Sequence, residues 1–288
     1  MTTPPPQRES QGGFPARAPW TPAGGFPAPM RPVAVAHPAP PPEVRGRGGG
    51  WAMLGVFAAA EVMFLLVSLL ALMPFVIVDP GIRDGSLPGG VLLVALAVPT
   101  VLATLVALGG TRLFAGGPVA GRLRRELAVT CNWRDVGIGL ALGTGGMLLT
   151  IPASVAWTRW VGEEQANSAV GELFDGQALF PVTAVAVFLV VWLLAPLCEE
   201  VLYRGVLWRA LEHWGWNRWL IFGVTTVAFA FLHFELLRTP LLVVISIPIG
   251  LARLLTGNLL SSVVAHQATN FVPALVLLLA ALGVVVPA

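Results

Sequence analysis

The sequence predicts an all-α, polytopic membrane protein, a bundle of about seven transmembrane helices that follows a disordered N-terminal tail. Its 288 residues are 56% hydrophobic and only 11% charged, with a mean hydropathy of +0.79. Soluble domains usually carry about 25% charged residues, so this composition argues against that class. A net charge of +2 gives no reason to expect a nucleic-acid partner, and two cysteines without a CxxC pair argue against a disulfide scaffold.

Residues 1–50 differ in composition from the rest of the chain. They hold about half of the 25 prolines, several glycine pairs and no sustained apolar periodicity. Such a segment cannot bury enough apolar surface to offset its chain entropy, which predicts a disordered cytoplasmic tail. A proline-rich ligand for a partner protein is the minority interpretation.

Residues 51–288 form the predicted transmembrane domain. A helix needs about 20 apolar residues to cross the hydrocarbon core, and the sequence offers seven such stretches, although six or eight would fit the same pattern. The fourth stretch is long enough to extend beyond the bilayer. The sixth is short and interrupted by Pro248 and Gly250, which favours a tilted, broken or partly inserted helix. The predicted spans are 51–78, 91–112, 136–158, 180–210, 219–237, 240–256 and 259–284.

The placement of arginines predicts the orientation in the membrane. Arg45 and Arg47 end the tail, and further arginines lie between the second and third spans and between the fourth and fifth. Because cytoplasmic loops carry an excess of basic residues, we expect the tail on the cytoplasmic side of the plasma membrane and Ala288 outside. The charges between Arg122 and Glu126 permit a short interfacial helix.

Two adjacent acids lie in the middle of the fourth span. Arg204 follows Glu200 by four residues, so the two side chains share a helix face and can form a structural ion pair. Glu199 is rotated by about 100° and lacks this partner, which favours a free base or a metal ligand. Ionisable groups within the membrane are costly, so they mark function or a buried pair by default.

Two histidines and an asparagine are the remaining polar groups of interest. His233 lies in the predicted fifth span, and His266 and Asn270 share one face of the seventh at i, i+4 spacing. A helical rise of about 1.5 Å per residue places Glu199, His233 and His266 roughly 12 to 22 Å from the cytoplasmic loops. The three side chains can therefore converge inside the bilayer.

This combination of side chains is typical of a hydrolytic site. Glu199, His233 and His266 suit a divalent metal, with Zn²⁺ the first choice, and an open position for water. The metal would lower the pKa of the bound water while a nearby glutamate acts as a general base. In a metal-free version, Glu199 and His233 activate water, and His266 and Asn270 stabilise an oxyanion. Both versions describe hydrolysis in a water-filled cavity.

Three motifs follow one another in the last four spans. The segment 199–204 fits EExxxR, 229–233 fits FxxxH, and 266–270 fits HxxxN. In order and separation they resemble the motifs of the CPBP family of intramembrane proteases, also called the CAAX-protease and bacteriocin-processing or Abi family. That family includes the type II CAAX prenyl endopeptidases. The resemblance covers residues from about 180 to 284.

The resemblance implies an intramembrane metalloendopeptidase that cleaves a peptide bond of a membrane-associated protein or peptide. Prenylated CAAX substrates belong mainly to eukaryotes, whereas the Ala-, Gly- and Arg-rich composition of this chain indicates a bacterial source. The implied catalytic residues are Glu199, Glu200, Arg204, His233, His266 and Asn270.

Two alternatives stay open beside the protease. One is a catalytically inactive membrane scaffold or immunity protein of the same fold. The other is an ion-coupled transporter that uses the same acids as a proton relay, although no inverted repeat favours it. Outside the motifs, we expect Glu61 to face a cavity or a neighbouring helix, and His213 to be an interfacial loop residue.

Overall fold

The computed structural model describes residues 47–78, 88–115, 118–166, 168–174 and 178–284, and over these residues it contains helices and no strand. The predicted all-α class is therefore confirmed. The helices are α1 (Arg47–Val78), α2 (Gly89–Phe114), α3 (Arg122–Glu126), α4 (Trp133–Val161), α5 (Glu163–Ala166), α6 (Ala169–Phe174), α7 (Pro181–His213), α8 (Arg218–Phe231), α9 (Thr239–Thr256) and α10 (Leu259–Ala281).

Six of the described helices are long and apolar enough to cross a membrane, namely α1, α2, α4, α7, α9 and α10. The chain is thus a multi-pass membrane protein. All seven predicted spans form helices, but the fifth is shorter than predicted. It was expected to cover 219–237, whereas α8 ends at Phe231 after 14 residues. The sequence pattern did not reveal this end because the apolar residues continue through the following turn.

Of the three possibilities that Pro248 and Gly250 raised for the sixth span, a tilted, broken or partly inserted helix, the break is absent. α9 is one continuous helix and the most enclosed of the six long helices. The ring of Pro248 packs on Gly146 of α4, where a Cβ would lie 2.6 Å from the ring. Gly250 packs on α8, where a Cβ would lie 2.8 Å from Phe222. Close packing on both sides therefore keeps this helix intact despite two residues that disfavour helices.

α1 begins at Arg47, ahead of the predicted tail boundary at residue 50. A Cβ on Gly50 would lie less than 3.0 Å from the indole of Trp214, which follows α7. Trp51 adds an edge-to-face contact with Trp214, with ring centroids 4.8 Å apart. Such close packing explains why a glycine run, which has a poor helix propensity, forms the first turn of a helix. The remainder of the predicted tail, residues 1–46, lies outside the described residues.

α7 is not α-helical throughout. Its segments Val190–Leu194 and Val201–Leu207 are π-helical, which changes the backbone hydrogen-bond register and leaves carbonyls open to other donors. In the first segment, the Leu193 carbonyl accepts a hydrogen bond of 3.1 Å from the Gln267 side chain of α10. In the second, the Arg253 side chain of α9 takes the same role and donates to the Arg204 carbonyl. The π segments thus attach α7 to the helices that carry the other motif residues.

Glycines of α4 bring that helix against α10. A Cβ on Gly139 would lie less than 3.0 Å from the Ser261 carbonyl oxygen. A Cβ on Gly143 would lie less than 3.0 Å from the Ala265 carbonyl oxygen. Small residues at a four-residue interval allow this approach of two backbones in a membrane. Because Ala265 precedes His266, the contact also fixes the depth of that histidine.

Candidate active site

The two adjacent glutamates of α7 lie in different surroundings. Glu200 is fully buried, and its Oε1 accepts a hydrogen bond of 2.8 Å from Nη1 of Arg204, which is also fully buried. The side chain of Glu199 remains 26% exposed. The i, i+4 spacing therefore produces the ion pair that it allows, and Glu199 is the acid that a substrate or water can reach.

Arg204 receives partners from two other helices. Its Nη2 donates a hydrogen bond to the hydroxyl of Ser246 in α9. Its guanidinium carbon lies 4.7 Å from the ring centroid of Phe229 in α8, a cation–π contact. Its backbone carbonyl, in the second π segment, accepts a hydrogen bond of 3.1 Å from Nε of Arg253. Because the guanidinium and backbone are held from several sides, the Glu200 carboxylate has a fixed position.

His266 of α10 lies between the two glutamates. Its Nδ1 is 3.0 Å from Oε1 of Glu200, and its Nε2 is 3.7 Å from Oε2 of Glu199. The Glu200 carboxylate oxygen is an acceptor and already receives a hydrogen bond from Arg204, so Nδ1 of His266 is the donor in this second bond. In the neutral ring, Nε2 then carries a lone pair directed toward Glu199. A separation of 3.7 Å is too long for a hydrogen bond, so these two groups can share a proton only through an intervening molecule.

His233 lies in the turn after α8 rather than inside a span as predicted. Its Nδ1 is 2.6 Å from the Phe229 carbonyl oxygen, and its ring lies 4.4 Å from the Phe229 ring. The same phenyl ring contacts His266 edge to face, with centroids 5.6 Å apart. Phe229 thus packs against both imidazoles. The helix ends two residues later, at Phe231, and His233 lies in the turn that follows.

The predicted metal ligands come together only in part. Glu199 and His266 are adjacent, but no three His, Cys, Asp or Glu side chains among the described residues are grouped closely enough to hold a metal ion. As arranged here, Glu199, His233 and His266 do not fit a three-ligand metal site. They fit a pair of proton-binding groups, Glu199 and His266, together with a second imidazole, that of His233.

Asn270 follows His266 by one turn of α10 and reaches back to α7. Its Nδ2 donates a hydrogen bond of 3.4 Å to the carbonyl of Val191 in the first π segment. An asparagine amide has two hydrogens, so one remains for a ligand after this contact is made. The π segment therefore sets the orientation of the amide.

Glu61 of α1, which was expected only to face a cavity or a neighbouring helix, also belongs to this region. Its Oε1 is buried and has no hydrogen-bond partner among the described residues. The Tyr203 hydroxyl and the Glu199 carboxylate are the groups with which its carboxyl interacts. The Tyr203 ring is held by Phe57, with centroids 5.5 Å apart. The available signal was an acid in an apolar span, but the sequence does not specify which helix it faces.

A second buried ionic cluster joins α3 to the end of α7. Oε2 of Glu126 lies 2.9 Å from Nε of Arg209 and 3.3 Å from Nε2 of His213. Burial by itself would raise the pKa of Glu126, but the hydrogen bonds and charges of His213 and Arg209 lower it below the ordinary value. His213 is therefore buried in the last turn of a helix, and its expected position in an interfacial loop is wrong. The short helix that the charges permitted is present at Arg122–Glu126, and its Glu126 belongs to this cluster.

A family model described as Type II CAAX prenyl endopeptidase Rce1-like matches residues 181–272. The matched range begins with α7 and ends just after Asn270, so it includes all six residues that the motifs single out. It does not include α1, α2 or α4, although α1 contributes Glu61. No curated protein and no solved structure matches the chain.

Proposed function

We propose that this chain, whose residues 181–272 match the family model of Rce1-like type II CAAX prenyl endopeptidases, hydrolyses a peptide bond of a membrane-associated protein or peptide. The observation that supports this most strongly is the position of His266. One of its nitrogens is fixed by the buried Glu200–Arg204 pair, and the other faces the accessible Glu199. An acid and an imidazole held apart by a gap suit the activation of one water molecule.

In the proposed reaction, Glu199 is the general base. A water molecule between Oε2 of Glu199 and Nε2 of His266 gives a proton to the carboxylate, and its oxygen attacks the peptide carbonyl carbon. The protonated Glu199 then delivers that proton to the amide nitrogen as the C–N bond breaks. The products are a carboxylic acid and an amine, and the base is regenerated.

The remaining residues orient these groups and receive developing charge. Glu200 fixes the ring orientation and tautomer of His266, as carboxylates that bond a functional imidazole commonly do. Nε2 of His266 accepts a hydrogen bond from the attacking water and so orients its oxygen, and the second amide hydrogen of Asn270 is a donor for the oxyanion. Arg204 acts through Glu200 and does not itself meet the substrate in this scheme.

Use of a divalent metal, with zinc the first choice and His233 as the third ligand, remains a prediction, and it requires the three side chains to lie closer together than in the arrangement described above. Such an ion would polarise the carbonyl and acidify the attacking water. The check is metal analysis of the purified full chain together with cleavage measured before and after treatment with a chelator. One equivalent of zinc, and activity that is lost on chelation and restored by zinc, would support it. Full cleavage by protein that contains no metal would contradict it.

The proposed location is the plasma membrane, with the N-terminus in the cytoplasm and cleavage near the cytoplasmic side. The support is the arginine excess in the tail and in the loops on the same side. Accessibility of an engineered N-terminal cysteine to an impermeant reagent in intact cells checks the orientation. Labelling without lysis would contradict it.

The first test of the proposed activity is Glu199→Gln. Removal of the base is expected to lower kcat/KM for a cleaved membrane substrate by about 10²- to 10⁴-fold, and the unfolding temperature should stay near that of the parent chain. His266→Ala should lose activity to a similar extent. Glu172→Gln removes an exposed acid elsewhere and serves as the matched control. Full activity of Glu199→Gln would overturn the assignment of the base.

A further inference from the structure

α1 and α2 enclose a groove that faces outward, away from the candidate active site. Its volume is about 560 Å³, and every residue along it is apolar or glycine. Trp51 and Phe114 lie at one end, and Ala59 marks the other. At about 1.5 Å per residue, the stretch from Trp51 to Ala59 gives the groove a length of about 12 Å.

The groove exists because two glycines leave its floor open. A Cβ on Gly55 of α1 or on Gly109 of α2 would meet no atom within 4 Å. The neighbouring Gly110 is different, since a Cβ there would lie 2.7 Å from Val56. Gly110 thus permits the helices to approach, while Gly55 and Gly109 keep space between them free. Space of this kind on the outside of a membrane bundle is apolar and suits a hydrocarbon chain.

Positive charge is concentrated where the groove reaches the end of α2. The Arg112 side chain, in the last turn of α2, is exposed and makes no hydrogen bond or ion pair within the described part of the chain. Arg122 donates a hydrogen bond from Nη1 to the Arg112 carbonyl, which brings a second guanidinium to this helix end. Glu126 of α3, the first acid after α2 in the sequence, is already bonded to Arg209.

We infer that this groove binds one anionic phospholipid, with an acyl chain between α1 and α2 and its phosphate at Arg112 and Arg122. Charge complementarity favours an anionic headgroup, because a basic residue near an anionic lipid surface contributes on the order of fivefold in binding. The exposed Trp51 supports the same depth, since tryptophan is enriched at the level of the headgroups. Neither the site nor its ligand depends on the proposed protease activity.

Native mass spectrometry of the full chain in detergent, with equimolar phosphatidylglycerol and phosphatidylcholine, measures the retained lipid. The parent chain is expected to retain one phosphatidylglycerol in preference to phosphatidylcholine. Arg112→Gln should lower that preference about fivefold without affecting folding, because the side chain is exposed. Arg134→Gln removes an exposed arginine at the start of α4 and should leave the preference unchanged.

Filling the groove gives the second arm of the experiment. The double variant Gly55→Leu/Gly109→Leu is expected to lose most of the retained phospholipid. Gly137→Leu/Gly145→Leu is the matched control, since these glycines of α4 also face open space, and it should retain the lipid.

Four outcomes would overturn the inference. They are equal retention of the two lipids by the parent chain, no retained lipid at all, unchanged retention in the filled variant, and a dimer that disappears when the groove is filled. If no lipid is retained, another segment of the chain covers the groove. If a dimer disappears when the groove is filled, the occupant is a second copy of the chain. Arg112→Gln keeps the inference testable even if the filled variant does not fold.

Discussion

Adjacent residues of a helix point about 100° apart, and this rotation gives the two acids of α7 different environments. Glu200 points toward Arg204 and His266 in the interior, while Glu199 keeps contact with the outside. A fully buried carboxylate that accepts from a guanidinium and an imidazole is a poor candidate for proton transfer to a substrate. Its position makes it a support for the imidazole instead.

The Glu200–Arg204 pair should be important for stability. Arg204→Leu leaves a carboxylate buried without its charge partner, and we expect a loss of about 3–5 kcal/mol in the free energy of unfolding. The double variant Glu200→Leu/Arg204→Leu removes both charges and should be more stable than either single variant. Denaturant unfolding in detergent measures all three.

The matched control is the more accessible pair Glu235–Arg238. Arg238→Leu is expected to change the free energy of unfolding by no more than about 1 kcal/mol. Equal losses at the two pairs would show that burial does not distinguish them and would contradict this assignment.

The lowered pKa of Glu126 predicts that the stability of the folded chain depends on pH. Its pKa is lowered in the folded chain, so the stabilisation is complete above the ordinary value of 4.5 and is lost as the pH falls through the lowered value. Unfolding temperatures of the parent chain and of Glu126→Gln should differ at about pH 6 and converge as the pH falls below the ordinary pKa of the carboxyl group. A difference that stays constant over this range would rule out the charged carboxylate as its origin.

At the scale of elements, the contact between α4 and α10 is expected to tolerate no side chain. Gly143→Ala places a methyl group against the backbone of Ala265, and we expect a loss of about 1–3 kcal/mol in the free energy of unfolding. Gly145→Ala, on the same helix but facing open space, is the control and should be neutral or slightly stabilising. If both variants unfold alike, the close approach of these helices is not as described.

Apolar length was sufficient to predict the helices but not their internal geometry. The seven apolar helices, six of them long enough to cross a membrane, follow from hydropathy, whereas the π segments of α7 accept hydrogen bonds from other helices, from Gln267 and Arg253. The same reason explains the early end of α8. Its apolar residues continue past Phe231, and only the tertiary position of the turn sets the boundary.

The candidate site was predictable where one helix supplies both partners. Spacing alone pairs Glu200 with Arg204 and places His266 and Asn270 on one face. Contacts between distant segments were not predictable in this way. Glu61 meets Tyr203 across α1 and α7, and His213 meets Glu126 across 87 residues. No periodicity within one helix contains that information.

At the scale of the whole molecule, the matched family segment and the preceding helices have separate contributions. α7 to α10 carry all six motif residues, while α4 supports α10 and α1 adds an acid beside Glu199. The polar groups of the candidate site lie within a bundle that exposes many large apolar side chains, so the proposed reaction requires water to reach them. Hydrolysis inside such a bundle is the central claim.

Incorporation of ¹⁸O from labelled water tests that claim most directly. The purified full chain, in liposomes that contain a membrane-protein extract, is incubated in H₂¹⁸O, and new peptide termini are identified by mass spectrometry. We expect new C-terminal carboxyl groups that carry one ¹⁸O with the parent chain, and none above background with Glu199→Gln. The same labelled termini in both samples, or none in either, would contradict the account.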